Sequence, residues 1–199
     1  MNGITEFLSN NFSSCVWLVV IIVAMIPTLE SKIAIPLGMN TAIWGGHALS
    51  PFSAFVFAFI GNIIPCYIVM LLVRKIKQHT TMVLHSKFFQ KYAIKGAQIE
   101  RKNNFSKYLA LAGFVSVPIP LTGVWTGSLI GGISNLNIHY SFASIVAGAF
   151  VSAGIITILC ALFSNSISYI FIFSLTIIIV FMFIDLIVGI IKTRKKSGN

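Results

Sequence analysis

The chain has 199 residues, of which 57% are hydrophobic and only 9% are charged, and its mean hydropathy is +0.93. Soluble domains carry about 25% charged residues, so this composition excludes a water-soluble globule and predicts an all-α integral membrane protein. The formal net charge is +10. Because the basic residues are confined to a few segments beside long apolar runs, we expect anionic lipid head groups as their partners and no nucleic acid.

The first half of the chain is predicted to be an interrupted helix followed by a full span. Residues 16–29 are apolar but shorter than the roughly 20 residues that cross a bilayer, and Pro27, Glu30, Lys32 and Pro36 break the run. The apolar run resumes at 37–49. We therefore predict a re-entrant hairpin, in which one arm enters the membrane, the backbone breaks near its middle and a second arm returns. Residues 51–73 then form a conventional span.

A basic segment, residues 74–107, separates the two halves and holds nine of the fourteen Lys and Arg residues. Apolar and basic side chains both recur in it every four residues: Leu84, Phe88, Tyr92 and Lys87, Lys91, Lys95. That pattern predicts an amphipathic linker helix lying on the cytoplasmic membrane surface. The alternative is a basic loop whose period arises by chance.

The second half of the chain repeats the plan of the first. Residues 108–117 are an apolar arm, 118–123 are the break, and 124–133 are the returning arm. Residues 139–163 form a full span, and 168–191 form an extra C-terminal transmembrane helix. The sequence therefore predicts two repeats, each a re-entrant hairpin plus a transmembrane helix, within a single membrane domain.

The distribution of charge gives an expected orientation. The positive-inside rule places the basic linker and the bases between Lys192 and Lys196 in the cytoplasm of a bacterial cell. The N-terminus has no Lys or Arg before the first apolar run and then lies outside. Repeat 1 (16–73) and repeat 2 (108–163) would be inverted relative to each other. Charge alone leaves open the alternative that residues 31–50 span the membrane fully.

Related proline–glycine elements lie at the two breaks. The first reads Glu-Ser-Lys-Ile-Ala-Ile-Pro-Leu-Gly over 30–38, and the second reads Val-Pro-Ile-Pro-Leu-Thr-Gly over 117–123. Unwound backbone at membrane depth must be satisfied by protein, water or ligand, and inverted repeats with broken helices are a recurrent transporter design. The arm after each break begins with free N–H groups at the positive end of the helix dipole. Two such ends facing each other predict an anion-binding site.

Charged and polar residues beside the breaks are the predicted substrate site. Ionised groups inside a membrane are costly and usually face a partner or an aqueous cavity, so we expect Glu30 to carry a proton and Lys32 to contact an anion. The alternative is that both anchor the chain at the interface. Asp185, in the last span, is either a second proton-route residue or an interfacial one. The predicted substrate-binding set is Glu30, Lys32, Pro36, Gly38, Asn40, Pro118, Pro120, Thr122, Gly123, Trp125 and Thr126.

Four further residues are predicted to serve helix packing: Gly61, Asn62, Gly127 and Gly131. Gly127 and Gly131 permit close approach either within the chain or in a homodimer. The His and Cys residues form no cluster with metal-ligand spacing, and the chain has no Walker motif, catalytic triad or Gly-rich nucleotide loop. We expect no metal, no cofactor and no enzymatic activity.

The motifs at the two breaks resemble the signature of the small multidrug export protein family. The segments that carry the resemblance are Glu30 to Gly38, Gly61-Asn62, and Pro118-Ile-Pro-Leu-Thr-Gly-Val-Trp-Thr-Gly127. One departure is Lys32, where the family is expected to have arginine. The substitution keeps the charge but loses bidentate recognition of a carboxylate or phosphate.

That family in turn resembles the DedA/VTT membrane protein superfamily, for which the resemblance implies proton-linked transport and, in some members, translocation of polyprenyl-phosphate carriers or lipid scrambling. We therefore predict a transporter of an amphipathic, anionic, lipid-phosphate-like substrate. One alternative is a small multidrug exporter of lipophilic or cationic compounds, with Glu30 as the cation site. Another is a non-transporting assembly or stress factor.

Overall fold

A computed structural model describes residues 12–79, 87–119 and 122–163, and isolated positions between 167 and 184. Every regular element among these residues is helical, which confirms the all-α prediction for the described part of the chain. Two 3-10 turns cover Ser13–Cys15 and Gly45–His47. The α-helices are α1 (Val16–Met25), α2 (Glu30–Gly38), α3 (Thr41–Trp44), α4 (Pro51–His79), α5 (Lys87–Glu100), α6 (Asn104–Ser116), α7 (Val124–Ile133) and α8 (Ile138–Leu162).

Two of these helices, α4 and α8, are long and apolar enough to cross a membrane, over Pro51–Lys77 and Ile138–Leu162. Large apolar side chains also cover their outward faces. On α4 and α8 these exposed residues include Phe52, Ile60, Ile64, Ile68, Leu72, Phe150, Ile155, Ile158 and Leu162. Water-soluble monomers rarely expose contiguous apolar faces of this extent. These faces suit contact with lipid.

The buried apolar residues form two clusters, one at each end of the long helices. The first gathers α1, α2, the start of α4 around Ala58 and the end of α8 around Ile156. The second gathers α6, α7, the later part of α4 around Met70 and the start of α8 around Ile145. Each half of the chain therefore surrounds one end of the α4–α8 pair. Asn62 lies on α4 between the two clusters.

The short helices α2 and α7 begin side by side and run to opposite ends of α4. Where the two helices begin, the backbone N–H of Trp125 in α7 donates to the carboxylate of Glu30 in α2. At the end of α2, the N–H of Leu49 donates to the carbonyl of Gly38 (2.8 Å), just before α4 begins. At the end of α7, the Lys77 ammonium donates to the carbonyl of Ile133 (2.6 Å), near the end of α4. The two N-termini therefore meet partway along α4.

The first break in the chain lies at residues 26–29, beside Pro27, so the part of the prediction that placed it within the Glu30–Gly38 motif is wrong. Pro27 excludes helical geometry from the residue before it, and Ile26 is extended with ψ 129°. Pro36 lies within α2, where its ring removes only the N–H that would have bonded to the carbonyl of Lys32. Gly38 ends α2 in close contact with Val20 of α1. Its missing side chain serves that contact.

The basic linker contains α5, and this helix packs against α7. Gly96 lies against the side chain of Ser134, and the Lys95 ammonium sits over the Phe114 ring, 4.8 Å from its centre. The predicted amphipathic helix is thus helical over Lys87–Glu100. Leu84 lies outside the described residues. So does Asp185, and the C-terminal span predicted for 168–191 is described only at isolated positions.

Candidate functional site

A cavity of about 380 Å³ lies where the first turns of α2 and α7 meet. Its walls are mostly apolar, and the charged side chains of Glu30 and Lys32 lie in its lining. The remaining lining residues come from the first break, from α5 and from the start of α7: Pro27, Thr28, Tyr92, Gly123, Trp125, Thr126 and Leu129. Segments from both halves of the chain therefore build this cavity.

Glu30 and Lys32 form a buried ion pair. The Lys32 ammonium lies 2.9 Å from the Glu30 carboxylate, and the two residues are only 8% and 4% exposed. The same ammonium donates to the backbone carbonyl of Thr122 (2.8 Å), which lies just before α7. Removing one partner of a buried pair leaves an uncompensated charge and typically costs about 3–5 kcal/mol. The pair therefore couples the start of α2 to the second break.

The Glu30 carboxylate also caps the N-terminus of α7. Its second oxygen accepts the backbone N–H of Trp125 at 3.3 Å. The residue that precedes α7 is Gly123, which has no side chain to cap the helix. A methyl group at Gly123 would collide with the carboxylate, although its φ of −178° suits any residue. Glycine is therefore required here for space, and a carboxylate at a helix N-terminus is electrostatically favourable.

The turn that presents Glu30 is strained. Thr28 and Glu30 have φ values of +74° and +48°, in the left-handed region. For residues with a Cβ this region costs roughly 1–2 kcal/mol each, and β-branched threonine is an outlier there. Such strain persists only where the surrounding structure imposes it and is found preferentially at functional sites. The ion pair and the cap on α7 hold Glu30 in this conformation.

The C-terminal end of α7 is stabilised by cationic side chains, whereas its N-terminus is capped by the Glu30 carboxylate. Lys77 donates to the carbonyl of Ile133 and to the Asn135 side chain (2.9 Å), and Arg74 donates to the carbonyl of Leu136 (3.3 Å). Cations at a helix C-terminus interact favourably with the dipole. Beyond the helix, the Glu100 carboxylate accepts the N–H of Asn135. Glu100 is thus a carboxylate with a backbone partner, remote from the cavity lining.

Buried polar side chains link the ion pair to α4. Asn62 donates from its side-chain nitrogen to the hydroxyl of Ser31 (3.1 Å), the residue between Glu30 and Lys32. One turn further along α4, Cys66 accepts a hydrogen bond from the Ser128 hydroxyl of α7 (3.1 Å). Asn62 was predicted as a helix-packing residue, and this bond joins it to the residue between the two charged ones. The two contacts attach both short helices to α4.

The predicted glycine positions make close contacts within the chain. A side chain at Gly61 would collide with the Ile21 carbonyl of α1. Gly127 packs against Val115 of α6 and Ile145 of α8, and Gly131 packs against Met70 of α4 and Ser141 of α8. These glycines therefore lie where helices of the same chain approach closely, and their role in helix packing stays a prediction. The homodimer stays a prediction.

The structure brings together some of the predicted substrate-binding residues and separates others. Those that line the cavity are Glu30, Lys32, Gly123, Trp125 and Thr126. Thr122 contributes its backbone carbonyl, while its hydroxyl donates to the carbonyls of Val117 and Ile119. Pro120 lies outside the described residues.

Four predicted residues lie away from this cavity lining: Pro36, Gly38, Asn40 and Pro118. Pro36 and Gly38 are at the far end of α2, and the Asn40 side chain accepts the N–H of Ala42 at the start of α3. The reason for the separation is that α2 is continuous from Glu30 to Gly38. Its length carries the proline and glycine away from the charged residues.

Four residues of the cavity lining were not in the predicted site: Pro27, Thr28, Tyr92 and Leu129. Thr28 precedes the charged motif, and its left-handed conformation left no mark in the sequence pattern. Tyr92 belongs to the apolar stripe that was predicted to face the membrane surface, whereas it is buried and lines the cavity. The apolar stripe could have indicated that Tyr92 is buried within the protein, because a helix with an apolar face packs equally well on lipid or on protein.

Comparison with protein-family models gives a match to this chain. A family model described as Putative small multi-drug export protein matches residues 30–156, which is more than half of the chain and includes α2, α4, the second break and most of α8. Searches of curated proteins and of solved structures find no match. The match begins at Glu30, the residue that joins the two short helices. The chain therefore belongs to the family described as Putative small multi-drug export protein.

Proposed function

We propose that this protein is a membrane transporter that moves an amphipathic, anionic, lipid-phosphate-like substrate, such as a polyprenyl phosphate, across the cytoplasmic membrane. The Glu30–Lys32 pair is its binding site, and Glu30 is its proton-responsive group. The family description supports a membrane transporter. The observation that carries the substrate class is the buried pair at the meeting point of two helix N-termini, in the lining of a largely apolar cavity.

The charges around Glu30 favour an anionic substrate over a cationic one. A cation approaching Glu30 has to displace the Lys32 ammonium, and it meets the positive ends of α2 and α7. An anion meets the same groups as attractive partners, because ammonium and helix N–H groups are the donors that bind phosphate. The apolar cavity walls suit the hydrocarbon part of an amphipathic molecule.

The second candidate function is export of lipophilic or cationic compounds, and the family description favours it. In that reading Glu30 itself is the cation site, and Lys32 is the group that a cationic substrate displaces. The two candidates differ in what Lys32 does. It binds substrate in the first and competes with substrate in the second.

We also propose that the two halves are inverted repeats with re-entrant hairpins, as in the DedA/VTT superfamily. Three contacts support this arrangement: α2 and α7 share a starting point, Gly38 lies beside the start of α4, and Ile133 lies beside the end of α4. Because α4 has 29 residues, about 43 Å at 1.5 Å per residue, its ends reach both sides of a bilayer. We place the basic end of α4 and the C-terminus in the cytoplasm and the N-terminus outside.

Labelling of single cysteines tests the inverted arrangement. Thr41 and Asn135 are both exposed, and they lie near opposite ends of α4. In a chain whose three native cysteines are replaced, we expect an impermeant maleimide to label Thr41→Cys from outside intact cells. We expect Asn135→Cys to react only after the membrane is opened. Labelling of both positions from the same side would contradict the inverted repeats.

Transport in liposomes tests the substrate class. Purified protein is reconstituted, and transbilayer movement of a fluorescent polyprenyl phosphate is followed by quenching with dithionite, beside uptake of ethidium. We expect lipid movement with the wild type and its loss to the level of empty liposomes with Glu30→Gln and with Lys32→Ala. Glu100→Gln and Lys102→Ala are matched controls, because Glu100 caps the region beyond the other end of α7 and Lys102 is exposed.

The same assay separates the alternatives. Ethidium uptake that Glu30→Gln abolishes and Lys32→Ala leaves nearly intact would identify the drug exporter. Movement of neither probe by folded wild-type protein would point to the assembly or stress factor. Lipid movement that survives both substitutions would remove the proposed site.

A further inference from the structure

Resting on the proposed function, we infer that the Glu30 carboxylate occupies the site to which the anionic group of the substrate binds. Proton uptake by Glu30 and binding of an anionic head group therefore occur together. The inference starts from what the carboxylate touches. One oxygen accepts from the Lys32 ammonium and the other accepts from the Trp125 N–H. These are the donors that an incoming anion needs.

Space makes the two occupants mutually exclusive. The carboxylate lies so close to Gly123 that one added methyl group there would collide with it. A phosphate or sulfate group is larger than a carboxylate, so it cannot share the first turn of α7 with Glu30 in place. Two anions in contact also repel each other. Substrate therefore binds only when Glu30 leaves these donors.

The turn before α2 makes that departure easier. Thr28 and Glu30 are held with positive φ values, a conformation that residues with a Cβ adopt at a cost. Loss of the carboxylate's charge weakens both of its contacts, because hydrogen bonds to an ionised acceptor are the stronger kind. The strain is then no longer opposed. Protonation thus frees the Lys32 ammonium and the Trp125 N–H at the same time.

The exchange keeps the charge of the site constant. With Glu30 ionised, the Glu30–Lys32 pair is neutral. With Glu30 protonated, Lys32 carries one positive charge, which one negative charge on the substrate balances. One proton therefore enters with each negative charge that binds. Burial of uncompensated charge is avoided at every stage.

Few other titratable groups face this carboxylate in the part of the chain that the structure describes. Lys32 is on the same helix, Cys66 of α4 lies near enough to interact electrostatically, and Tyr92 of α5 lines the same cavity. A pH dependence of anion binding that Glu30→Gln removes is thereby assigned to Glu30.

The test uses butyl sulfate, because this anion keeps a single negative charge across the pH range of the experiment and is short enough to remain largely in water. Binding to the full chain in phosphatidylcholine nanodiscs is measured by titration calorimetry, with empty nanodiscs subtracted. For the wild type we expect affinity to rise from mildly alkaline to mildly acidic pH. For Glu30→Gln we expect the tighter affinity at every pH, higher than wild type at alkaline pH by roughly tenfold or more. Glu100→Gln should behave as wild type.

The outcomes distinguish this inference from the proposed function beneath it. Butyl sulfate binding that is independent of pH in the wild type, or no tighter in Glu30→Gln, overturns the inference and leaves an anion site in place. Absence of butyl sulfate binding in every variant at every pH overturns both this inference and the proposed anion site. If Glu30→Gln does not fold, Glu30→Ala is measured in its place, and it is expected to show the same loss of pH dependence.

Discussion

Replacing Gly123 with alanine is expected to unseat the Glu30 carboxylate and to abolish transport. The added methyl group would occupy the space of the carboxylate, so Glu30 loses the Trp125 N–H and its position beside Lys32. The backbone at Gly123 is extended and accepts alanine without strain. Any loss therefore comes from the collision. We expect a lower apparent melting temperature in detergent, together with loss of lipid movement in liposomes.

A double-mutant cycle identifies the cause of that loss. In a Glu30→Ala background the collision is absent, so Gly123→Ala should cost less than in the wild type, with a coupling energy in the range of roughly 0.5–3 kcal/mol that contacting residues show. Gly154→Ala is the matched control, because a Cβ at Gly154 meets no atom within 4 Å. Equal effects of Gly123→Ala in both backgrounds would mean that the glycine has another role.

Replacing Lys32 with methionine is expected to have the largest effect on stability of any single change considered. The substitution keeps an unbranched side chain of nearly the same length but leaves the Glu30 charge buried without its ammonium, which typically costs about 3–5 kcal/mol. Lys102→Met, at an exposed position, should change stability little. Unfolding of the purified protein, followed by tryptophan fluorescence, provides the measurement.

The double variant Glu30→Gln with Lys32→Met separates stability from function. Neutralising both partners removes the buried charge, so most of the lost stability should return. Transport should stay absent, because neither the proton-responsive group nor the anion contact remains. A double variant as unstable as Lys32→Met alone would show that the charge pair is not the source of the effect. A double variant that transports would remove the pair from the site.

Much of the helical layout was readable from the sequence, because the length of an apolar run is a direct physical requirement of a membrane. The spans predicted at 51–73 and 139–163 correspond to α4 and α8, and the returning arm predicted at 124–133 has the same bounds as α7. The need of Glu30 and Lys32 for a partner was also readable, since charged groups in apolar sequence usually have one. Here each is the other's partner.

The first break was misplaced because a proline can either end a helix or lie within one. At Pro27 it ends a helix, whereas at Pro36 it is accommodated within α2. Local sequence does not distinguish them, since the cost of one missing N–H depends on what surrounds the carbonyl it would have bonded. This error moved Pro36, Gly38 and Asn40 into the predicted site. A continuous α2 places them at its other end.

The sequence by itself determined the class of the protein, the positions of its apolar helices and the two charged residues of the candidate site. Only the tertiary structure decided what those charges touch. It placed Thr122, Gly123 and Trp125 against Glu30 and Lys32 across some ninety residues of chain, and it brought Tyr92 from the linker into the cavity. The physical reason is that the periodicity and composition of a segment indicate only whether its surroundings are apolar or aqueous. Which helix end meets which side chain depends on packing between segments remote in sequence.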